Sequence, residues 1–328
     1  MMDERIPLLA VVGPTASGKT KLAVELALRT GGEVVSADSM QIYKGMAIGT
    51  ARPTPEEMRG VPHHMIGVAD PRVHCSVAQY AQAARACIAQ IHARGRLPVL
   101  AGGTGLYVQA VVDNISFSPT QRDDALRREL ERTARERGGE ALLETLRAFD
   151  PETAGALHPN NVGRIIRAIE VYKTTGVTMA EQNRRSRLTP PPYRTLMLGL
   201  CFADRAELYR RIDRRVDAML DAGLVNEVRR LLGAGVTRAD TSLQAIGYKE
   251  IAAVLCGQTP PAQAALAQAV EDVKRESRRY AKRQLTWFRR DARIHWIEAG
   301  EAGGGAENIC RQAFALVDKW QTLCYNNL

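Results

Sequence analysis

Two rhythms of apolar and polar residues alternate along this chain. Short, mostly apolar runs at Leu8–Val12, Glu33–Ala37, Leu97–Ala101, Thr195–Leu200 and Ile294–Ile297 are strand-sized. A nearly unbroken run of that length fits a strand covered on both faces, as in a parallel sheet. Between the runs lie helical stretches, such as the one carrying Leu22, Val24, Leu26 and Ala27. The alternation predicts an α/β fold: a mainly parallel sheet with helices on its faces. From Asn114 to Pro192 the rhythm changes to charged, helix-rich sequence. Arg122–Arg137 carries Leu126 and Leu130 at helical spacing and is closed by Gly138-Gly139. Helices over Glu140–Phe149 and Val162–Lys173 follow, and Pro190-Pro191-Pro192 forms a stiff return. The expected organisation is therefore a core of residues 1–113 and 193–300, a helical insertion over 114–192, and a tail over 301–328. In that tail, Gly303-Gly304-Gly305 reads as a link to an auxiliary helix, Glu307–Tyr325.

The first run ends in Gly13-Pro14-Thr15-Ala16-Ser17-Gly18-Lys19-Thr20, the phosphate-binding loop, placed between a strand and a helix as that motif requires. Such a bend aims backbone N–H groups and the positive end of a helix dipole into one concavity. Lys19 adds a cation, Thr20 offers a hydroxyl to a magnesium ion, and Gly18 lets the backbone approach phosphate oxygens. The core is accordingly expected to be P-loop NTPase-like, and the chain to bind a di- or triphosphate.

The second run is followed by Asp38-Ser39-Met40-Gln41-Ile42-Tyr43. In a parallel sheet the carboxyl ends of adjacent strands share one crevice, so Asp38 is expected to face whatever lies on the phosphate loop. There it would hold magnesium through water or act as a general base; capping a helix is the structural alternative. A third turn, Gly102-Gly103-Thr104-Gly105-Leu106-Tyr107, again joins a strand to a helix, with Thr104 able to hydrogen-bond a ligand. Turns of this kind also serve tight strand–helix packing.

Charge narrows the choice of partner. The chain has 328 residues and a formal net charge of +9, which suits a polyanion. A basic helix over Val270–Phe288 has an apolar stripe of Val273, Tyr280, Ala281, Leu285 and Phe288, with Arg275, Arg278, Arg279, Lys282 and Arg283 around it. Gln284 falls beside the stripe, where an amide needs a partner, so Gln284-Leu285-Thr286-Trp287 reads as a ligand edge. Arg164 and Arg167 share a helix face and would contact RNA or pair with Glu170 or Asp150. The six cysteines are scattered without a C-x-x-C pair, which suggests neither disulfides nor zinc. His63, His64 and His74 fit no zinc spacing. No apolar run reaches transmembrane length, and Met1-Met2-Asp3-Glu4-Arg5 lacks a secretory apolar region, so a cytoplasmic protein is expected.

Several blocks together resemble the bacterial tRNA dimethylallyltransferases, also called tRNA isopentenyltransferases. They are GPTASGKT, then DSMQIYKGMAIGTARP at Asp38–Pro53 and AGGTGLYVQA at Ala101–Ala110. HPNNVGRIIRAIEVY at His158–Tyr172, RRIDRRVDAMLDAGLVNEVRRL at Arg210–Leu231, LQAIGYKEI at Leu243–Ile251 and YAKRQLTWFR at Tyr280–Arg289 continue the similarity in the family's order. The resemblance implies a transferase of tRNA modification that moves a dimethylallyl group from dimethylallyl diphosphate to N6 of an adenosine beside the anticodon (position 37). The tRNAs would be those reading codons that begin with U, and pyrophosphate would leave. It further implies a monomer, Mg2+ at Thr20, Asp38 as base, Thr104 in the catalytic set, and Lys19 with Arg215 stabilising the leaving diphosphate. For the tRNA anticodon stem-loop, it implies contacts from Asp38, Ser39, Met40, Gln41, Thr104 and Arg127, and from Gly163, Arg164, Ile165, Ile166 and Arg167. Gln244, Ala245, Ile246, Gly247, Tyr248 and Lys249, and then Lys282, Arg283, Gln284, Leu285, Thr286, Trp287, Phe288 and Arg289, complete that set. Two other classes share the phosphate loop. A small-molecule kinase would carry a short arginine-bearing lid, which the long helical insertion argues against. A non-catalytic RNA-binding protein switched by nucleotide would release no pyrophosphate.

Overall fold

The structure, a computed structural model, describes residues 5–117, 123–257 and 263–325. Met1–Glu4 and Arg122, used in the sequence reading, lie outside the described residues, as does the Cys324 side chain. The chain folds into two compact units, one formed up to Val112 and again from Pro192, the other over Asp113–Pro191.

The first unit is built on a six-stranded parallel sheet in the order β3-β2-β4-β1-β5-β6. Its strands are β1 (Ile6–Val12), β2 (Glu33–Ser36), β3 (His63–His64), β4 (Pro98–Gly102), β5 (Tyr193–Cys201) and β6 (Ile294–Glu298). The helices between them are α1 (Lys19–Thr30), α2 (Pro55–Met58), α3 (Val77–Ala93) and α4 (Gly105–Val112). The unbroken apolar runs follow from burial on both faces. In β1, Leu8, Ala10 and Val12 pack with Ile88 and Val108, whereas Leu9 and Val11 pack with Leu22 and Leu26 on the other side. Edge strand β3 has only two residues, too few for any apolar run to announce it.

The second unit carries α5 (Asp124–Arg147), α6 (Pro151–Ala156), α7 (Val162–Thr175) and α8 (Met179–Arg185). Helix α5 breaks at Gly138, whose φ of 81° lies in the left-handed region, where the sequence places its glycine pair. Leu130, Leu142, Leu143, Leu146, Ile165, Ile166 and Ile169 form this unit's core.

After β5 come α9 (Arg205–Asp221), α10 (Leu224–Gly233), α11 (Tyr248–Leu255), α12 (Gln263–Phe288) and, beyond β6, α13 (Gly305–Tyr325). The expectation of a separate tail is corrected here. Ala313 and Val317 of α13 are fully buried in the core that holds α1, and Arg29 of α1 grips both Asp318 carboxylate oxygens at 2.9 and 2.7 Å. The glycines before α13 form a tight turn with Gly303 buried, so what reads as a linker is packed structure.

Candidate active site

The phosphate loop leaves β1 and enters α1 at Lys19, with Gly18 at φ 92°, a left-handed conformation that side chains disfavour. The Lys19 ammonium folds back onto its own loop, donating to the Pro14 carbonyl at 2.5 Å. Arg215 of α9 donates to Thr15 Oγ1 at 3.1 Å, and Arg211 Nε to the Ala16 carbonyl at 3.2 Å. Burial first and then neighbouring Arg215 push the Lys19 pKa down, against the pull of Asp38, to about 7. Burial likewise lowers that of Arg215, again against the pull of Asp38. Two basic groups are thus held close together at a site that an anion would relieve.

This arrangement makes a pH dependence. A lysine depressed to about 7 in the folded protein, but normal when unfolded, leaves the unfolded state with more bound protons above that pH. Stability of the ligand-free protein therefore rises from pH 7 towards the ordinary lysine range, and a bound diphosphate restores the ammonium. Titration calorimetry of pyrophosphate at pH 8, in two buffers of different ionisation enthalpy, should show proton uptake that is lost in Lys19→Ala. Equal uptake by both proteins would contradict it.

Asp38 stands at the end of β2. Its Oδ1 accepts from the Met40 and Gln41 amides at 2.8 and 3.2 Å, while Oδ2 has no hydrogen bond among the described residues. The turn thus occupies one oxygen and leaves the other open. Thr104 Oγ1 accepts from the Ser39 amide at 3.1 Å and donates to Ser39 Oγ at 3.3 Å, with the Tyr280 hydroxyl nearby. Burial and then the Asp38 charge push Tyr280 up to about 12, so it stays protonated. The sequence reading passed over Tyr280 as a member of the apolar stripe; only the fold brings its hydroxyl beside Thr104.

These groups line a cavity of about 910 Å³ in which Lys19, Lys21, Arg52, Arg211, Arg214 and Arg215 outnumber the acids Asp38 and Glu57. A second cavity of about 270 Å³ shares Thr15, Asp38, Thr50, Arg215, Met219 and Tyr280 with it but adds the apolar walls Met40, Ile212, Val216, Ile246 and Val273. A cationic cleft and an apolar pocket therefore meet at Asp38. Thr20, exposed at the first turn of α1, lines the cleft with a hydroxyl that makes no hydrogen bond among the described residues. It offers a hard oxygen ligand of the kind magnesium takes beside substrate phosphates. No cluster of three or more His, Cys, Asp or Glu occurs among the described residues, so a metal here would need ligands from the phosphate.

Other sequence-singled residues fall elsewhere. Gln284 is buried: its Oε1 accepts from the Thr15 amide at 2.8 Å and its Nε2 donates to the Gly103 carbonyl at 2.9 Å. Both ends of the amide are spent bracing two turns, which corrects its reading as a ligand edge. A Cβ at Gly103 would stand 2.1 Å from Gln284 Nε2, and one at Gly105 2.2 Å from Trp287, so this turn serves tight packing. The side chains of Ile165, Ile166, Tyr248, Leu285 and Phe288 are buried in the core, which leaves them no surface for RNA. Arg127 grips both oxygens of the fully buried Glu170 at 2.8 and 3.0 Å, and Arg167 donates to it at 2.7 Å. Burial alone would raise the Glu170 pKa, but hydrogen bonds from Arg127 and Arg167 bring it down to about 2. Ion pairing thus accounts for these two arginines, whereas Gly163 and Arg164 on the same helix are exposed.

Ser39, Met40, Gln244, Ala245, Ile246, Gly247 and Arg283 line the apolar pocket, while Gln41 lines the cleft with its amide bonded to the Thr50 and Ala51 carbonyls. Lys249, Lys282, Arg283, Thr286 and Arg289 are exposed, with Arg283 lying 5.6 Å over the Tyr280 ring. His63 and His64 bond the Val61 carbonyl and Glu33, as structural histidines do. The cysteines whose side chains are described are free, and no described helix is long and apolar enough to cross a membrane.

The family model for IPP transferase matches residues 41–291. A tRNA dimethylallyltransferase of Halalkalibacterium halodurans is 50% identical over 291 residues, covering 89% of this chain and 90% of that one. Among solved structures, the full-length tRNA isopentenylpyrophosphate transferase of Bacillus halodurans superposes with a TM-score of 0.69 at 44% identity, over 97% of this chain and 98% of that one. A eukaryotic dimethylallyltransferase, crystallised while acting on tRNA, has a TM-score of 0.80 at 27% identity, over 97% of this chain and 80% of its own.

Proposed function

Because the chain belongs to the IPP transferase family, we propose that it transfers a dimethylallyl group from dimethylallyl diphosphate to tRNA. The acceptor is N6 of the adenosine at position 37, beside the anticodon, in tRNAs reading codons that begin with U. The observation that carries this reading is the meeting, at Asp38, of a cationic phosphate cleft and an apolar pocket. A donor with an anionic head and a short hydrocarbon needs that pairing of surfaces; an ordinary phosphoryl donor does not.

In the reaction the N6 nitrogen forms a bond to the allylic carbon, the carbon–oxygen bond to the diphosphate breaks, and the N6 proton leaves. Asp38 Oδ2, the open carboxylate oxygen, is the group placed to take that proton. Lys19, Arg215 and the loop amides face the charge that grows on the departing pyrophosphate. Magnesium, held by Thr20, would add further charge neutralisation there. The adenine must leave the anticodon-loop stack to reach this site, at a modest cost because the loop is already partly single-stranded.

Exposed cations supply the RNA surface. Arg164 of the insertion, and Lys249, Lys282, Arg283 and Arg289 of the core, are the exposed cations of the expected set. Each phosphate contact releases counterions, so Arg164→Ala and Arg283→Ala should each weaken all tRNAs and flatten the salt dependence by nearly one unit of slope. Filter-binding titrations across salt test this. Unchanged affinity and slope in both variants would make these faces merely solvated.

A further inference from the structure

The reading of Asp38 as base raises the question of what holds Asp38 still, and the structure supplies an unexpected participant. Glu227 lies on α10 among Leu224, Val228 and Leu231, with 3% of its surface exposed. A carboxylate in such surroundings is costly unless fully hydrogen-bonded. No cation pairs with it among the described residues. Three consecutive amides do so instead: those of Ala47 and Ile48 at 3.0 Å and that of Gly49 at 3.2 Å, joined by the Tyr248 hydroxyl at 2.5 Å. The backbone wraps the anion as a nest. The approach is so close that a Cβ at Gly49 would stand 2.4 Å from the Tyr248 ring.

The far side of this turn faces the cleft. The carbonyls of Thr50 and Ala51 accept from the Gln41 side chain, Nε2, at 3.2 and 3.3 Å, and the backbone N–H of the same residue donates to Asp38 Oδ1 at 3.2 Å. Ala47, Ile48, Thr50 and Ala51 themselves line the cleft beside Lys19 and Asp38. We propose that Glu227 is a positioning residue for the transfer reaction: its buried carboxylate fixes the Ala47–Ala51 turn, which braces Gln41 and so aims Asp38. The inference rests on the reading of Asp38 given above. It does not involve the phosphate loop, and that separates its consequences from those of donor binding.

Glu227→Gln keeps the shape but turns an NH2 group towards backbone N–H donors, which opens the turn. Turnover at saturating donor and tRNA should fall about tenfold or more, as misplaced reacting groups cause. Pyrophosphate affinity, read by calorimetry, should stay within about twofold. Tyr248→Phe, which removes the donor to Glu227 and one acceptor of the Gly49 amide but leaves the carboxylate to the turn, should lower kcat severalfold with the same unchanged pyrophosphate affinity. A Glu227→Gln protein that is folded, by its melting curve, and turns over at the parent rate overturns the proposal. Should that variant not fold, parental kcat in Tyr248→Phe overturns it equally. Asp38→Asn measured in parallel keeps the two ideas apart: survival of its turnover defeats the base assignment, while the Glu227 and Tyr248 variants alone decide the clamp.

Discussion

Lys19→Ala is expected to abolish measurable prenyl transfer while leaving tRNA binding close to that of the parent protein. The ammonium lies in the cationic cleft, held to the Pro14 carbonyl and next to Arg215. A recessed cation aimed at a leaving diphosphate contributes to the transition state on the order of 3 kcal/mol or more. That corresponds to at least about a hundredfold in rate. None of the exposed residues assigned to RNA contact touches it, so the two substrates separate cleanly. Steady-state turnover with saturating donor, together with filter binding of tRNA, gives the comparison. Near-normal turnover would remove the phosphate loop from the reaction.

Asp38→Asn should lower turnover by about a hundredfold or more with little change in tRNA affinity. The two carboxylate oxygens have separable duties. An asparagine carbonyl can still accept from the Met40 and Gln41 amides, as Oδ1 does. The amide nitrogen that replaces Oδ2 cannot take a proton. The melting temperature is therefore expected to hold while kcat falls. A melting temperature that drops together with activity would show that the turn, rather than proton transfer, is what Asp38 serves.

How much of this was legible before folding depended on the range of the interaction. The sheet was, because β1, β4 and β5 are covered on both faces and betray themselves as apolar runs. The phosphate loop was, because its chemistry lies within eight consecutive residues. Gln284 was noticed for the right reason, an amide beside an apolar stripe, but its partner Thr15 lies 269 residues away and no local pattern distinguishes a ligand from a distant backbone. Arg167 likewise shares a helix face with Arg164, yet only its distance from Glu170 decides which of them is spoken for. Glu227 left no signal at all, since a glutamate on an amphipathic helix ordinarily faces water. Helix α13 was expected over Glu307–Tyr325, but its packing was missed, because glycines before a helix resemble a linker when the surface it buries against cannot be seen.

The central claim is that one protein transfers the prenyl group of a diphosphate donor to a tRNA base, and the mass of the tRNA tests it most directly. Unmodified tRNA would be incubated with the protein and magnesium, and with either dimethylallyl diphosphate or ATP. The expected result is one dimethylallyl group in place of one hydrogen on the tRNA, with pyrophosphate released, in the first mixture only. A tRNA unchanged in the first mixture, or ATP turnover that phosphorylates a small acceptor, would contradict it.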